Sequence, residues 1–365
     1  ITKADYENVS LVNSTVLRHL RLRGNYSCDA PLLLPSMFVL KAEGTTIVPA
    51  SNLTLHNVSR FSALVMLVNV TLSAVVGGTY DASSLPLSPD YPKYTRGYHA
   101  LSIHGDNSGG KNTIRNVRAL ANNTGASIGV NEVSHAEVSF SDIGGGAEHG
   151  MLNTRCVWTL SVTAALIHDN FIRNCSKHSL DFDAYTSGSA AYSNVIEDHG
   201  EEGIFVEETA SGACARARGS LPWTPVRIYY PYVCPACARP CAGNLIFNNT
   251  VRRANHGIGV YSNAVGPVAN NLIIGNTLED NFGGGITSGG YGHVVYPNKY
   301  SLQNVFASNV LQNNGNGPIS AWEMDPKHGA ASGDYWTDNR VVGDGVEYRE
   351  VPSNGSAVVI FEPLA

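Results

Sequence analysis

Along most of the chain a polar residue is followed nine positions later by a small residue that opens a short apolar run. The template recurs from Asn116 to Gly125, Ser141 to Gly150, Asn170 to Ser179, Asn194 to Gly203, Asn248 to Gly257, Asn276 to Gly285 and Asn309 to Pro318. Successive openings are 25, 29, 24, 54, 28 and 33 residues apart. A coil of about two dozen residues with one strand opening and no helical period predicts a parallel β-helix, because each coil buries its apolar side chains only by stacking on its neighbours. A propeller would need four strands per repeat and a leucine-rich repeat a regular Leu framework; the chain has neither. The expected fold is all-β: a single right-handed parallel β-helix, or solenoid.

The 54-residue step carries an insertion at about 209–243, where composition shifts to Cys, Pro, Arg and Tyr. Residues 1–40 read as the start and cap of the helix, with Val16 to Gly24 a strand and turn and Pro31 to Leu40 an apolar strand. The Pro- and Tyr-rich segment Ser83 to Arg96 reads as a surface loop. Two units follow from this pattern: residues 1–325 as the helix with its cap and insertion, and 326–365 as a C-terminal partial coil and cap, with a partial coil around Asn339 and a final strand Ala357 to Phe361.

Composition agrees with this architecture. Of 365 residues only 15% are charged and 37 are Gly, and Asn and Gly suit the left-handed turn positions that tight coils need. The formal charge of -6, without a basic stripe, excludes a nucleic-acid partner held by its phosphates. No apolar run reaches membrane-spanning length, the stretch Leu64 to Val76 being short and broken. The chain is expected to be soluble. It begins at Ile1, which reads as a processed chain or a fragment.

Ten Asn-x-Ser/Thr sequons begin at Asn8, Asn13, Asn25, Asn52, Asn57, Asn69, Asn122, Asn174, Asn248 and Asn354, six of them in the first 70 residues. With seven cysteines they point to a secreted or cell-surface glycoprotein bearing N-linked glycans. Asn248 stands at a repeat position, so its sequon is expected to be inaccessible. Cys214, Cys234, Cys237 and Cys241 cluster in the insertion, and their spacing suits disulfides or zinc. Cys156 and Cys175 fall at corresponding edges of consecutive coils and can bridge, which leaves Cys28 free or paired outside the chain.

Laying the strands in register sorts side chains into columns. With each opening residue as zero, positions one and three hold Met151 and Asn153, Leu180 and Phe182, Ile204 and Val206, and Ile258 and Val260, which face inward. Positions two and four then face solvent. Position two contributes Asp181 and Phe205; position four contributes Thr154, Asp183, Glu207, Tyr261 and Trp322. Coils stack about 4.8 Å apart, so Asp181, Asp183 and Glu207 form one acidic patch. Carboxylates forced together push one pKa upward, keeping one group protonated as a general acid while another stays ionised. These three are the candidate catalytic residues. His149, His178, Glu202 and His256 precede the strands, and with Tyr261 and Trp322 they are the candidate substrate-binding residues, the aromatics offering flat faces to sugar rings. The run Glu197 to Glu202 reads as a largely solvated turn. No metal-ligand set stands out, and Ca²⁺ is the cofactor compatible with the acids.

The Asn170-Phe171-Ile172 and Asn194-Val195-Ile196 coils, the Gly openings at Gly203, Gly257 and Gly285, and the stretch Gly77-Gly78-Thr79-Tyr80-Asp81 resemble right-handed parallel β-helix proteins of the pectin-lyase-like superfamily. That group includes polysaccharide lyases, polygalacturonase-type glycoside hydrolases and uronan epimerases. The resemblance covers roughly residues 35–325 and implies an extended groove that binds a polysaccharide. Its Gly-His-Gly, Arg-Ile-Lys and Asp-Pro-His signatures are absent, so it transfers no catalytic residue.

Three functions follow. The first is a glycoside hydrolase acting on an extracellular polysaccharide, with Asp183 and Glu207 as acid and nucleophile or base and Asp181 assisting. The second is a lyase or C5-epimerase on a uronic-acid polymer, with Lys177, His178, His256 or Tyr261 as base and Ca²⁺ on the acids; few cations on the candidate face count against it. The third is a non-catalytic glycoprotein of a cell wall, surface layer or filament, with homo-oligomer or filament contacts.

Overall fold

The computed structural model describes residues 18–51, 53, 62–85, 98–105, 110–121, 125–145, 155–208, 241–262, 268–290, 301–315, 319–322 and 334–342. Among them every regular element is a strand, and no helix is long and apolar enough to cross a membrane. The strands pair in parallel into two 11-stranded sheets and one 10-stranded sheet, with a three-stranded strip alongside. The chain visits the sheets in rotation. Leu166–His168 lies in the first, Phe171–Arg173 in the second and Leu180–Asp183 in the third, after which Ala190–Tyr192 returns to the first.

Stacking turns the alternating pattern into continuous columns. Ile143, Ile172, Ile196, Val251, Leu278 and Leu311 align through the second sheet and are fully buried. Leu101, Ile128, Val157, Leu180, Ile204, Ile258 and Ile286 do the same in the third. Each such side chain contributes about 1.5–3 kcal/mol of burial. No coil can obtain that alone.

The polar half of the repeat is a ladder of buried amides. Asn170, Asn194, Asn249, Asn276, Asn309 and Asn339 each accept, through Oδ1, both the backbone N–H of the preceding coil's ladder residue and, where that residue is Asn, its side-chain N–H. Asn170 Nδ2 also donates to Val138 O at 2.9 Å. A second ladder runs through Asn244, Asn271, Asn304 and Asp334. Buried amides are tolerated because each finds partners.

Two residues of the sequence template sit one position short of the first ladder. Asn116 and Asn248 occupy the preceding turn column, where φ is 55° and 53°, with Phe140, Asp169, Ser193 and Ser308 also left-handed. Val117 and Asn249 hold the ladder position instead. Asn248 is exposed and donates to Ser193 Oγ at 3.1 Å, so its sequon is accessible, against the expectation.

Other boundaries shift as well. Coiling already begins at Arg18–Arg21, which pairs with Phe38–Lys41, and Pro31 to Leu40 contains two strands, not one. Cys241 belongs to a coil, not the insertion: it is buried in the short strand Cys241–Ala242, with Sγ 3.2 Å from Thr186 O. Cys214, Cys234, Cys237 and the strand Ala357 to Phe361 lie outside the described residues. Cys156 and Cys175 form a disulfide. Cys28 is a buried free thiol, its pKa raised by burial. Strands Tyr335–Thr337 and Arg340–Val342 continue the first two sheets.

Candidate active site

The third sheet carries the acids. Leu180, Asp181 and Phe182 pair with Ile204, Phe205 and Val206, which brings Asp183 and Glu207 into line on adjacent coils. Glu207 pairs with Tyr261, Tyr261 with Gly289, and Gly289 with Trp322. Glu202 pairs with His256. For Tyr261 and Trp322 only the backbone is described.

One coil departs from the sequence register. The strand stacked on Leu180–Asp183 is Arg155–Leu160, in which Val157, Trp158, Thr159 and Leu160 oppose Leu180, Asp181, Phe182 and Asp183. The opening residue of that coil is therefore Cys156, not Gly150, and Leu160 takes the place expected for Thr154. His149, Met151, Asn153 and Thr154 lie outside the described residues. Likewise the preceding coil opens at Ser127, since Ile128 opposes Val157. This register puts Arg155 two residues before Val157, as His178 stands two before Leu180, so a guanidinium occupies the row assigned to His149.

Arg155 organises the patch. Its Nε donates to Asp181 Oδ2, its Nη2 lies 3.6 Å from Glu207 Oε1, and its guanidinium carbon sits 4.9 Å from the centroid of the Trp158 ring. Trp158 Nε1 donates to Asp183 Oδ2 at 3.0 Å, and the Ala184 N–H to Asp183 Oδ1 at 2.7 Å. The His178 ring packs on Phe205 at 4.4 Å, with Nδ1 2.7 Å from Glu202 Oε2 and Nε2 3.4 Å from Glu201 Oε2. Lys177 Nζ lies 4.0 Å from Glu201 Oε2 at the rim. His256 Nδ1 lies 3.5 Å from Thr287 Oγ1.

Solvent exposure differs from the expectation. Asp181, Asp183 and Glu207 are 0%, 3% and 2% exposed. Outward columns on a tightly stacked sheet cover one another, and here Arg155, Trp158 and Phe205 fill the columns around the acids. The run Glu197 to Glu202 is also less solvated than expected: Glu202 is buried against His178, and Glu197 accepts from Arg252 Nη2 at 2.6 Å and from Arg253 Nη2.

Burial sets the protonation. It pushes the Asp181 carboxyl up to about 7, with Arg155 pulling down and Asp183 pushing further up. Glu207 is raised well above its ordinary range by burial and then by Asp183 and Asp181, with Arg155 a smaller opposing influence. Arg155 sits closer to Asp181, so the retained proton belongs on Glu207. Burial lowers His178, which stays neutral although Glu202 opposes the shift. On an earlier coil of the same sheet, burial takes His99 down to about 4.

Ligand atoms of His178, Asp181 and Glu207 all lie within 4.8 Å of one another, as do those of His178, Glu201 and Glu202. One imidazole with two carboxylates is a transition-metal donor set; Ca²⁺ prefers six to eight oxygens. Arg155 already neutralises part of that charge, so the chemistry below is derived from the side chains alone.

Sequence reasoning missed Arg155 and Trp158. The signal was present in Arg155-Cys156-Val157-Trp158-Thr159-Leu160, an alternating run with the inward residues Val157 and Thr159. Anchoring that coil on Gly150 hid it.

No protein-family model matches the sequence, and no curated protein matches it. Solved structures do. A polygalacturonase from Erwinia carotovora ssp. carotovora superposes with a TM-score of 0.60 at 12% identity, covering 94% of this chain and 95% of that one. An endo-xylogalacturonan hydrolase from Aspergillus tubingensis gives 0.61 at 10% identity, with 93% and 91% covered. The A-module of a mannuronan C-5 epimerase from Azotobacter vinelandii gives 0.55 at 10% identity, with the same coverage of 93% and 91%. The chain therefore has the right-handed parallel β-helix fold of these three structures.

Proposed function

We propose that the protein is a secreted glycoside hydrolase that cleaves an extracellular polysaccharide with Glu207 as general acid and Asp181 as nucleophile or base. The observation that carries this reading is the Asp181–Glu207 pair: carboxylate oxygens within 4.8 Å, on adjacent coils, with one guanidinium nearer to Asp181. Such a pair keeps one proton to give a leaving group and one charge to meet the sugar cation that develops. The short separation favours a retaining over an inverting mechanism, which needs about 6.5–9.5 Å to admit a water. Asp183, held by Trp158 and its neighbouring amide, positions the strand and adds negative charge beside the oxocarbenium-like transition state. His178, Glu202, His256, Tyr261 and Trp322 are the proposed sugar-contacting set along the same face, and Arg155 holds the row where His149 was expected.

Substrate charge follows from the same geometry. Three carboxylates surround Arg155, which leaves no unpaired cation there for a uronate. The proposed substrate is therefore neutral at the cleaved residue, which disfavours the lyase and epimerase readings. Polysaccharide names attached to the structural neighbours support a carbohydrate partner through fold analogy alone. The disulfide and the exposed sequon asparagines Asn25, Asn69, Asn174 and Asn248 support secretion. We read residues 1–325 and 326–365 as one working solenoid and its terminal cap.

The test is incubation with a panel of neutral and uronate polysaccharides, following reducing ends and the absorbance of unsaturated uronate. Reducing ends without absorbance are expected, and Asp181→Asn or Glu207→Gln should remove them. Absorbance from a uronan, or no product from any polymer, would refute the reading.

A further inference from the structure

The first amide ladder stops part-way along the helix. Reading back through the residue that precedes each second-sheet strand, the column runs Asn339, Asn309, Asn276, Asn249, Asn194, Asn170 and Ser141, then Val117, Gly78 and Thr45. Where the amides end, the turns between the first and second sheets open into a cleft of about 500 Å³.

Gly77 and Gly78 line it where two coils approach closely: a Cβ on Gly78 would lie 2.8 Å from Ala42 O, and one on Gly77 2.8 Å from Glu43 Cγ, so neither position takes a side chain without displacing the adjacent coil. Two lining residues carry buried polar atoms with no hydrogen-bond partner among the described residues: Oγ1 of buried Thr45, and Oδ1 of half-buried Asp142, whose Oδ2 is shared by Arg118 and Arg173. Buried polar atoms of this kind require a partner, from solvent or from a ligand. Phe140 stands at the rim, 47% exposed, with the Arg115 guanidinium carbon 4.7 Å from its ring centroid and the His168 ring nearly perpendicular to it at 5.6 Å.

We propose that this corner cleft is a second carbohydrate site, taking a short stretch of neutral glycan at a place separate from the acidic patch. Thr79 and Asn116 add a hydroxyl and an amide to the two unsatisfied atoms, which suits a ligand bearing many hydroxyls that both donate and accept. Phe140 offers an apolar surface to the C–H face of a sugar ring. An anion is disfavoured, because the Arg118 cation is paired with Asp142 at 3.5 Å and Glu43 adds a second carboxylate. The site does not depend on hydrolysis at Asp181 and Glu207.

The experiment is calorimetric titration of the full chain with cellohexaose, xylohexaose, mannohexaose and laminarihexaose, with hexagalacturonate as the anionic comparison. Phe140→Ala removes the stacking surface and Thr46→Trp blocks the cleft from an outward strand position; thermal melting checks that both fold. The expected result is a binding event for a neutral hexasaccharide that either substitution weakens about tenfold and that Asp181→Asn leaves in place. Three results overturn the proposal: no neutral hexasaccharide binds, hexagalacturonate alone binds, or both cleft variants bind as the wild type does. Failure of the hydrolase reading would be separate, appearing as absent cleavage with this binding event intact.

Discussion

Asp181 and Glu207, on adjacent coils of the third sheet, hold carboxylate oxygens within 4.8 Å of each other with almost no solvent contact. Two such acids cannot both ionise cheaply, since burial and mutual repulsion each favour a shared proton. A rigid solenoid imposes the arrangement: backbone pairing fixes the register, and the side chains inherit their spacing from it.

Arg155 is the group that makes the pair tolerable. Arg155→Met should destabilise the protein by about 3–5 kcal/mol, because it leaves buried carboxylates without their cation. Arg155→Lys should recover part of that loss while lacking the fork that reaches both acids. Urea unfolding of the three proteins checks this; a variant as stable as wild type would remove Arg155 from the account.

The pH dependence has a definite sign. An acid with a raised folded-state pKa keeps its proton longer in the native chain, so its contribution to stability falls as pH rises. For Asp181 the window runs from its ordinary 3.8 to about 7, and raised Glu207 acts in the same direction. Buried His99 and His199, lowered to about 4 and about 3, act the opposite way, gaining stability as pH rises towards their ordinary 6.5. The informative quantity is the thermal midpoint of wild type minus that of Asp181→Asn, which should decline through the Asp181 window. A constant or rising difference would contradict the assignment.

Ladder and turn asparagines should separate cleanly. Asn276 donates to Ile246 O at 2.9 Å and to Asn309 Oδ1 at 3.0 Å, and accepts from Asn249 twice at 3.0 Å. Asn276→Ala leaves several of these groups buried and unpaired, a loss of about 2–4 kcal/mol. Asn248→Ala, on the exposed turn, should stay within about 0.5 kcal/mol. Equal effects in denaturant unfolding would mean that the ladder is not what stabilises the turn.

Glycan mapping tests the corrected reading of Asn248. Expressed through a secretory pathway, the protein should carry N-glycans at Asn248 as well as at exposed Asn25 and Asn69, detectable as mass shifts lost on enzymatic deglycosylation. An unmodified Asn248 in a chain glycosylated elsewhere would restore the view that the repeat shields it.

The coil period was legible because stacking forces the same alternation on every coil, and the Asp181, Asp183 and Glu207 columns followed from strands with clear Ser179 and Gly203 openings. Gly150 misled because the strand of that coil opens at Cys156, farther from Ser141 than the nine-residue spacing reaches. Asn248 and Asn249 are adjacent asparagines with opposite fates, one at a left-handed turn and one in the ladder; φ distinguishes them and composition does not. Burial of the acids was not legible either, since alternation says which way a side chain points and nothing about what covers it.

The most direct test is the reducing-end yield from neutral polysaccharides for wild type, Asp181→Asn and Glu207→Gln, with the product anomer read by proton NMR. Cleavage with retained configuration is expected, with losses of about a hundredfold or more in either variant. Wild-type protein that releases nothing from any neutral polymer, or variants that cleave as fast as wild type, would contradict it.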